Sequence, residues 1–128
     1  MDLQRYDIIK AKINYEGNSV QTNERPYIIV SNPLGTKYAP IITVMPLTSK
    51  IKKTNMPCHG CIQANGENGL QLYSMVMGEQ IITISKTEVM EKLGTIICKE
   101  DRRMIDQTCF NGLFFGTGYR LEEGTTCI

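Results

Sequence analysis

The sequence predicts an α+β fold, in which a small, curled antiparallel β-barrel of five to seven strands is followed by a C-terminal helix. Two observations support this prediction. Short runs of β-branched and apolar residues, separated by turn residues, fill the first two thirds of the 128-residue chain. The last third changes to helical spacing, and strands followed by helices are typical of a sheet with a helix packed on it.

Each predicted strand is a short apolar run bounded by polar or turn-forming residues. The polar segment 14–24 is expected to be a flexible loop, 32–37 is rich in turn residues, and 65–69 is a turn by composition. The predicted strands are 8–13, 27–30, 41–47 and 58–63, with one long or two short strands within 70–84.

One long helix and one short helix are predicted from the last 45 or so positions of the sequence. Ile105, Cys109 and Leu113 recur at four-residue steps after Cys98, which is the spacing of a helix with one buried face. Residues 86–93 predict a shorter helix that ends at Gly94. The fold therefore has one or two short helices besides the C-terminal one.

Composition indicates one globular domain without a membrane segment. Hydrophobic content is 41%, charged residues make up 21%, and the net charge is only +1, which argues against bulk electrostatic coating of duplex DNA. No apolar run approaches the roughly 20 residues that span a bilayer, so we expect a cytoplasmic protein. In that reducing compartment, five irregularly spaced cysteines are expected to be free thiols.

Several classes of active site lack their residues. His59 is the only histidine, which excludes a two-histidine acid and base pair within one chain. Glycine-rich phosphate loops and the nucleophile elbow of serine hydrolases are absent as well. Cys58 and Cys61 could open a zinc site, but no second Cys-x-x-Cys follows them, so an accidental pair on a strand is the favoured interpretation.

Two apolar strands end in polar groups that their cores do not need. Arg25 precedes Pro26, which disfavours a helical conformation for the residue before it, so Arg25 is expected to enter a strand in an extended conformation. Thr48 ends the next apolar strand within Pro46-Leu47-Thr48-Ser49. Side chains at strand ends are where functional sites usually lie.

Over roughly residues 6 to 115, the chain resembles the MazF/PemK family of toxin endoribonucleases. The resemblance rests on the order and spacing of short pieces. These are Asp7-Ile8, Gln21, Arg25-Pro26, Ile28-Ile29-Val30-Ser31-Asn32, Pro46-Leu47-Thr48-Ser49, Pro57, His59, Gly69-Leu70, Ser74, Glu79-Gln80-Ile81, Thr83-Ile84, Lys86 and Lys92-Leu93-Gly94.

The resemblance implies a small SH3-like barrel over residues 1–118, with 119–128 as a C-terminal tail. It also implies a cytoplasmic, metal-independent and cofactor-free endoribonuclease that cuts single-stranded RNA at short sequence motifs. The expected products carry 2′,3′-cyclic phosphate and 5′-hydroxyl ends. The expected partners are a second copy of the chain, in a homodimer, and a cognate, MazE-like antitoxin.

Arg25 and Thr48 match the catalytic pair of that family. A guanidinium can donate two hydrogen bonds to phosphate oxygens, and a hydroxyl can donate one more, which suits stabilisation of a phosphorane. Loop residues are expected to bind the RNA backbone and splayed bases. The RNA-binding candidates are Ser19, Gln21, Lys50, Lys52, Lys53, Glu79 and Gln80.

One departure from the family concerns the general base. Val20 stands where the family's loop has a glutamate, and Glu24, the nearest substitute, is expected to face away from Arg25 because neighbours on a strand alternate sides. The alternative function is a non-enzymatic, CcdB-like gyrase-binding toxin on the same fold. That family depends on a C-terminal tryptophan, and this chain has no tryptophan. A zinc-binding interaction module built on Cys58 and Cys61 is the third possibility.

Overall fold

Antiparallel strands form one curled, open sheet in the computed structural model of the protein, which describes residues 1–13 and 24–121. The seven strands of this described part are β1 (Asp7–Lys12), β2 (Glu24–Ile29), β3 (Ile41–Thr48), β4 (His59–Ile62), β5 (Ser74–Met77), β6 (Ile82–Ser85) and β7 (Val89–Thr95). Their order is β4-β5-β3-β2-β1-β7, and β6 pairs with residues 41–44 in the first half of β3. The predicted fold class is confirmed.

Two α-helices accompany the sheet, α1 (Pro33–Tyr38) and α2 (Lys99–Phe114). Helix α1 replaces the turn predicted at 32–37. The Asn32 side chain accepts a hydrogen bond from the Gly35 amide at 2.7 Å, and Pro33 has the fixed φ of a first helical residue, so the turn residues act as a helix start. Neither helix, nor any other described helix, is long and apolar enough to cross a membrane.

The short helix predicted at 86–93 is wrong. Only Lys86–Glu88 forms a single 3₁₀ turn, which is closed by reciprocal hydrogen bonds between Ser85 and Glu88. Val89–Thr95 then forms β7, because pairing with β1 outweighs the local helical preference. Gly94 does not end a helix: a Cβ at this position would lie 2.4 Å from the carbonyl carbon of Asn68, so glycine permits a close approach between β7 and the 65–69 turn.

Apolar side chains are buried on both faces of the sheet, as alternate strand residues require. The first core consists of Leu3, Ile9, Ala11, Ile13, Tyr27, Ile29, Ile42, Val44 and Ile84. The second core includes α2 and consists of Ile8, Ile28, Val30, Met45, Leu47, Ile62, Val76, Ile96 and Ile105. On α2, Ile105 is fully buried as predicted, whereas Leu113 is 58% exposed, so the buried face ends before the last helical turn.

A buried carboxylate joins β1 to β7. Asp7 is fully buried, and it accepts hydrogen bonds from the Thr95 hydroxyl at 2.7 Å and from the Gln4 amide at 2.8 Å. Lys92 completes the site with an ion pair at 3.1 Å. Three partners therefore satisfy this buried carboxylate, and they tie the start of β1 to β7.

Candidate active site

Strand register aligns Arg25 with Thr48. The β2–β3 ladder pairs Tyr27 with Pro46 and Ile28 with Met45. This ladder ends at Tyr27 and Pro46; continued two residues further along both strands, the same register would bring Arg25 opposite Thr48, and both residues lie inside the bounds of β2 and β3. Residues directly opposite each other in an antiparallel pair point to the same side of the sheet, with Cβ atoms about 5 Å apart. The two predicted catalytic residues therefore lie at the same end of two neighbouring strands.

Both side chains of this pair are half-buried, and both have unused hydrogen-bonding capacity. Arg25 makes no hydrogen bond and no ion pair with the residues of 1–13 and 24–121. The Thr48 hydroxyl oxygen accepts from the Lys50 amide at 3.1 Å, which leaves its hydrogen to be donated elsewhere. The arrangement offers a guanidinium fork and a hydroxyl to one anionic group.

Glu24 lies on the opposite side of β2 from this pair. Its carboxylate forms an ion pair with Lys10 of β1 at 3.3 Å, and its register partner is Lys12. Arg25 is paired instead with Ala11, which belongs to the first core. Glu24 therefore cannot take the place of the missing loop carboxylate without leaving its own strand face.

The lysines that follow Thr48 lie on the loop between β3 and β4. Lys50, Lys52 and Lys53 are exposed, and none of them forms an ion pair within the described residues. Lys53 has a φ of 53°, in the left-handed region, and its carbonyl oxygen accepts hydrogen bonds from the Met56 amide and from the His59 ring. This loop carries three free positive charges close to Thr48.

The face that holds Thr48 continues across two more strands. Thr48 is paired with Met75 of β5, and Met75 is paired on its other side with Cys61 of β4. Two residues further along, Met77 is paired with His59. Since alternate residues share a face, one surface extends from Arg25 and Thr48 to His59. Sequence reasoning did not predict this link, because register between strands cannot be deduced from their composition.

The β4 end of this surface contains a cluster of three chemically reactive groups, Cys58, His59 and Glu79. Their ligand atoms all lie within 4.8 Å of one another. The Glu79 carboxylate accepts from the Cys58 thiol at 3.1 Å, and it contacts the His59 Nε2 atom at 2.5 Å. Burial and the neighbouring carboxylate raise the pKa of the Cys58 thiol.

This cluster corrects the cysteine pair proposed from sequence. Cys61 is not part of it; the neighbouring Cys61 thiol instead raises the pKa of the Tyr73 phenol. Glu79 was predicted as a base contact, and in the structure its carboxylate is already engaged by Cys58 and His59. The four cysteines in the described residues, Cys58, Cys61, Cys98 and Cys109, are free thiols, as expected.

The remaining predicted RNA-binding residues lie either on an exposed turn or outside the described residues. Gln80 is exposed on the 3₁₀ turn Gly78–Gln80, where its side-chain amide donates to the Met77 sulfur at 3.6 Å. Ser19 and Gln21, together with Val20, lie outside the described residues.

Comparison with known proteins decides the family. Residues 4–108 match the family model of PemK-like, MazF-like toxins of type II toxin–antitoxin systems. The chain belongs to this family. It is 33% identical, over 91 residues, to the endoribonuclease MazF of Staphylococcus saprophyticus, a match that covers 71% of this chain and 75% of that protein. The protein is thus a MazF-type endoribonuclease toxin, as the resemblance implied.

Solved structures show the same fold at low sequence identity. An endoribonuclease in complex with its cognate antitoxin, from a mycobacterial species, has a TM-score of 0.70 at 18% identity, covering 88% of this chain and 96% of that one. MazF from Deinococcus radiodurans has a TM-score of 0.68 at 13% identity, covering 93% of this chain and 99% of that one. At these identities the likeness concerns the fold alone.

Proposed function

We propose that this MazF-type toxin cleaves single-stranded RNA at short sequence motifs without a metal ion, using Arg25 and Thr48. The adjacent 2′-hydroxyl of the RNA attacks the phosphorus, the bond to the 5′-oxygen breaks, and the products carry 2′,3′-cyclic phosphate and 5′-hydroxyl ends. The observation that supports this best is the β2–β3 register, which, continued by two residues, aligns a guanidinium and a hydroxyl whose donors are not used by residues 1–13 and 24–121.

We assign to Arg25 the stabilisation of the negative charge that develops on the phosphate during the reaction. Its planar fork matches two phosphate oxygens, and its charge is permanent. Because no carboxylate of the described residues pairs with it, its donors are available before substrate binds, so little reorganisation is required. A hydrogen bond from Arg25 would also stabilise the leaving 5′-oxygen as its bond to phosphorus breaks, and water supplies the proton that this oxygen receives.

Thr48 is assigned a single hydrogen bond to a phosphate oxygen. The Lys50 amide donates to its hydroxyl oxygen at 3.1 Å, which leaves the hydroxyl hydrogen to be donated to the phosphate. Thr48 is not the nucleophile, since the substrate brings its own hydroxyl. With Val20 in place of a carboxylate and Glu24 paired to Lys10, we assign the departing 2′-proton to water.

RNA is proposed to lie along the surface that runs from Arg25 towards His59. Lys50, Lys52 and Lys53 would contact its phosphates from the β3–β4 loop. Ser19, Gln21, Glu79 and Gln80 remain the candidates for contacts with bases, which determine the cleaved motif through hydrogen bonds to unstacked bases.

The partners proposed for this chain are a second copy and an antitoxin. A homodimer would present two such surfaces side by side, and its mass in solution should be about twice the 14.4 kDa of one chain. An antitoxin, as in the complex of the mycobacterial relative, would occupy the RNA surface with a disordered segment that folds on binding. We further propose a cytoplasmic location and a domain of residues 1–118 with a tail of 119–128.

Competition tests the antitoxin proposal. Adding the peptide segment of the cognate antitoxin is expected to displace fluorescently labelled RNA from the Arg25→Ala variant, which we expect to bind RNA and to cut it about a hundredfold or more slowly than the wild type. If RNA and antitoxin bind the toxin simultaneously, with no change in either affinity, the proposed overlap is wrong. Sedimentation of the same samples reports the mass of the toxin.

Mapping of cut ends tests the reaction. Purified protein, incubated with a long RNA in excess EDTA, is expected to cut at a short recurrent motif. Polynucleotide kinase should label the 5′-hydroxyl ends of the downstream fragments directly, and the 3′ ends of the upstream fragments should resist alkaline phosphatase until acid opens the cyclic phosphate. Fragments with 5′-phosphate ends, or cleavage that requires added Mg²⁺, would contradict the proposed mechanism. The CcdB-like alternative predicts no cleavage, and the endoribonuclease relatives do not favour it.

A further inference from the structure

We propose that Cys58, His59 and Glu79 form a binding site for a thiophilic divalent cation, with zinc as the preferred ion. The site is separate from Arg25 and Thr48, and it supplies no group to the breaking of the phosphate bond. It would join the start of β4 to the 3₁₀ turn that follows β5.

The donor set is the first argument. A thiolate, an imidazole and a carboxylate are the three ligand types of protein zinc sites, and the ligand atoms here lie within 4.8 Å of one another. A thiolate and a carboxylate together balance the charge of a divalent cation. Three protein ligands would leave a fourth position for water, and the 36% exposure of the Glu79 side chain leaves a path to it.

The orientation of the His59 ring is the second argument. Its Nδ1 atom lies 2.9 Å from the Lys53 carbonyl oxygen, which can only accept, so Nδ1 carries a hydrogen. Nε2 is then the ring nitrogen that faces the Glu79 carboxylate, at 2.5 Å. The fixed ring orientation thus directs Nε2 to the place where the carboxylate also meets the Cys58 thiol.

Histidines that bind metal ions commonly donate a hydrogen bond from their second ring nitrogen to a backbone carbonyl, as His59 does here. The hydrogen bond from Nδ1 to a backbone carbonyl fixes the tautomer and orients Nε2 towards the ion. Lys53 holds this carbonyl in place from a left-handed backbone conformation, at a φ of 53°, and the Met56 amide donates to the same oxygen at 3.1 Å. The supporting contact is thus built into the loop.

The loop itself is anchored beside the site. The Asn111 side chain of α2 donates to the Pro57 carbonyl at 2.8 Å, immediately before Cys58. The Gly78 amide donates to the Cys58 carbonyl at 2.8 Å, immediately before Glu79. These two bonds hold the cysteine and the glutamate at fixed positions relative to α2, so binding a cation would order few additional groups.

Only a small movement would be needed to admit zinc. Bonds of about 2.0–2.1 Å to nitrogen and oxygen at a tetrahedral angle place those two atoms about 3.3 Å apart. The Glu79 carboxylate, which is the exposed member, would therefore move back by less than about 1 Å. The site also stands clear of the cleavage pair, because Thr48 and His59 lie across two strand spacings and two residues, or about 12 Å.

Cobalt and zinc binding to the full chain tests the proposal. The purified protein, stripped with chelator and kept reduced, is expected to bind one Co²⁺ per chain with a thiolate-to-cobalt charge-transfer band in the near ultraviolet, and one equivalent of Zn²⁺ should remove that band. Glu79→Gln changes an exposed side chain and should fold normally; it is expected to weaken binding at least tenfold. Cys58→Ser should abolish the thiolate band.

Cys61→Ser is the matched control, since this cysteine lies three residues away and outside the cluster. It should leave the cobalt spectrum and the zinc affinity unchanged. The proposal is overturned if the wild-type chain binds no cobalt, or if Cys61→Ser removes the band while Glu79→Gln does not. Arg25→Ala should bind as much metal as the wild type. The metal-binding test therefore does not depend on whether the proposed cleavage mechanism is correct.

Discussion

Replacing Arg25 with alanine is expected to lower the rate of RNA cleavage by about a hundredfold or more. Removal of one preorganised donor that stabilises transition-state charge typically has an effect of this size. The loss should appear in kcat, because the charge on the phosphate increases as the phosphorane forms. Single-turnover cleavage of a short fluorogenic RNA, at saturating enzyme, measures this step directly.

A lysine at the same position is the matched control for charge. Arg25→Lys keeps the positive charge but loses the fork, so we expect a rate between those of the wild type and the alanine variant. Since Arg25 has no hydrogen bond or ion pair within the described chain, the alanine change should alter the free energy of unfolding by only about 0.5 kcal/mol. An alanine variant that cuts RNA as fast as the wild type would refute the assignment.

The strands could be predicted from the sequence because each one satisfies the same local rule. The runs 27–30 and 41–47 are largely apolar on both faces, the run 8–13 is apolar on one face and at Ile8 on the other, and both faces of the sheet are in fact buried by the two cores. The amphipathic spacing around Ile105 predicted α2 for the same reason. Local pattern and tertiary burial agree in these segments, so the fold class followed from them.

Strand β7 shows where that agreement ends. Its residues include Glu91 and Lys92, which are good helix formers, and much of the strand is exposed at the sheet edge. What makes it a strand is its ladder with β1 and the ion pair from Lys92 to the buried Asp7. Both contacts span about 80 positions in sequence, so a reading of local spacing favours the helix instead.

The candidate site, like the fold, could be predicted from the sequence only in part. Arg25 and Thr48 could be singled out because each is a polar residue at the end of an apolar strand, although their alignment depends on the β2–β3 register. The Cys58, His59 and Glu79 cluster could not be predicted, since Glu79 is 20 residues from His59 and meets it only through the pairing of His59 with Met77. The cysteine spacing drew attention to Cys61, which faces Tyr73 instead.

Replacing Thr48 with valine is expected to lower the cleavage rate by about a hundredfold, while Thr48→Ser should retain most of the activity. Valine has nearly the shape of threonine and suits a strand, so the variant removes the hydroxyl with little change in packing. Serine restores the hydroxyl without the methyl group. The pair therefore isolates the hydrogen bond that Thr48 is proposed to give to the phosphate.

A structural role for Thr48 makes a different prediction, because its hydroxyl oxygen also accepts from the Lys50 amide. If that bond were its main function, valine would release the β3–β4 loop, raise KM for RNA by loosening the lysines, and leave kcat nearly unchanged. Loss of transition-state stabilisation instead lowers kcat at saturating RNA. Measuring both constants for the two variants, alongside unfolding by urea, decides between a hydroxyl that acts on the phosphate and one that only shapes the loop.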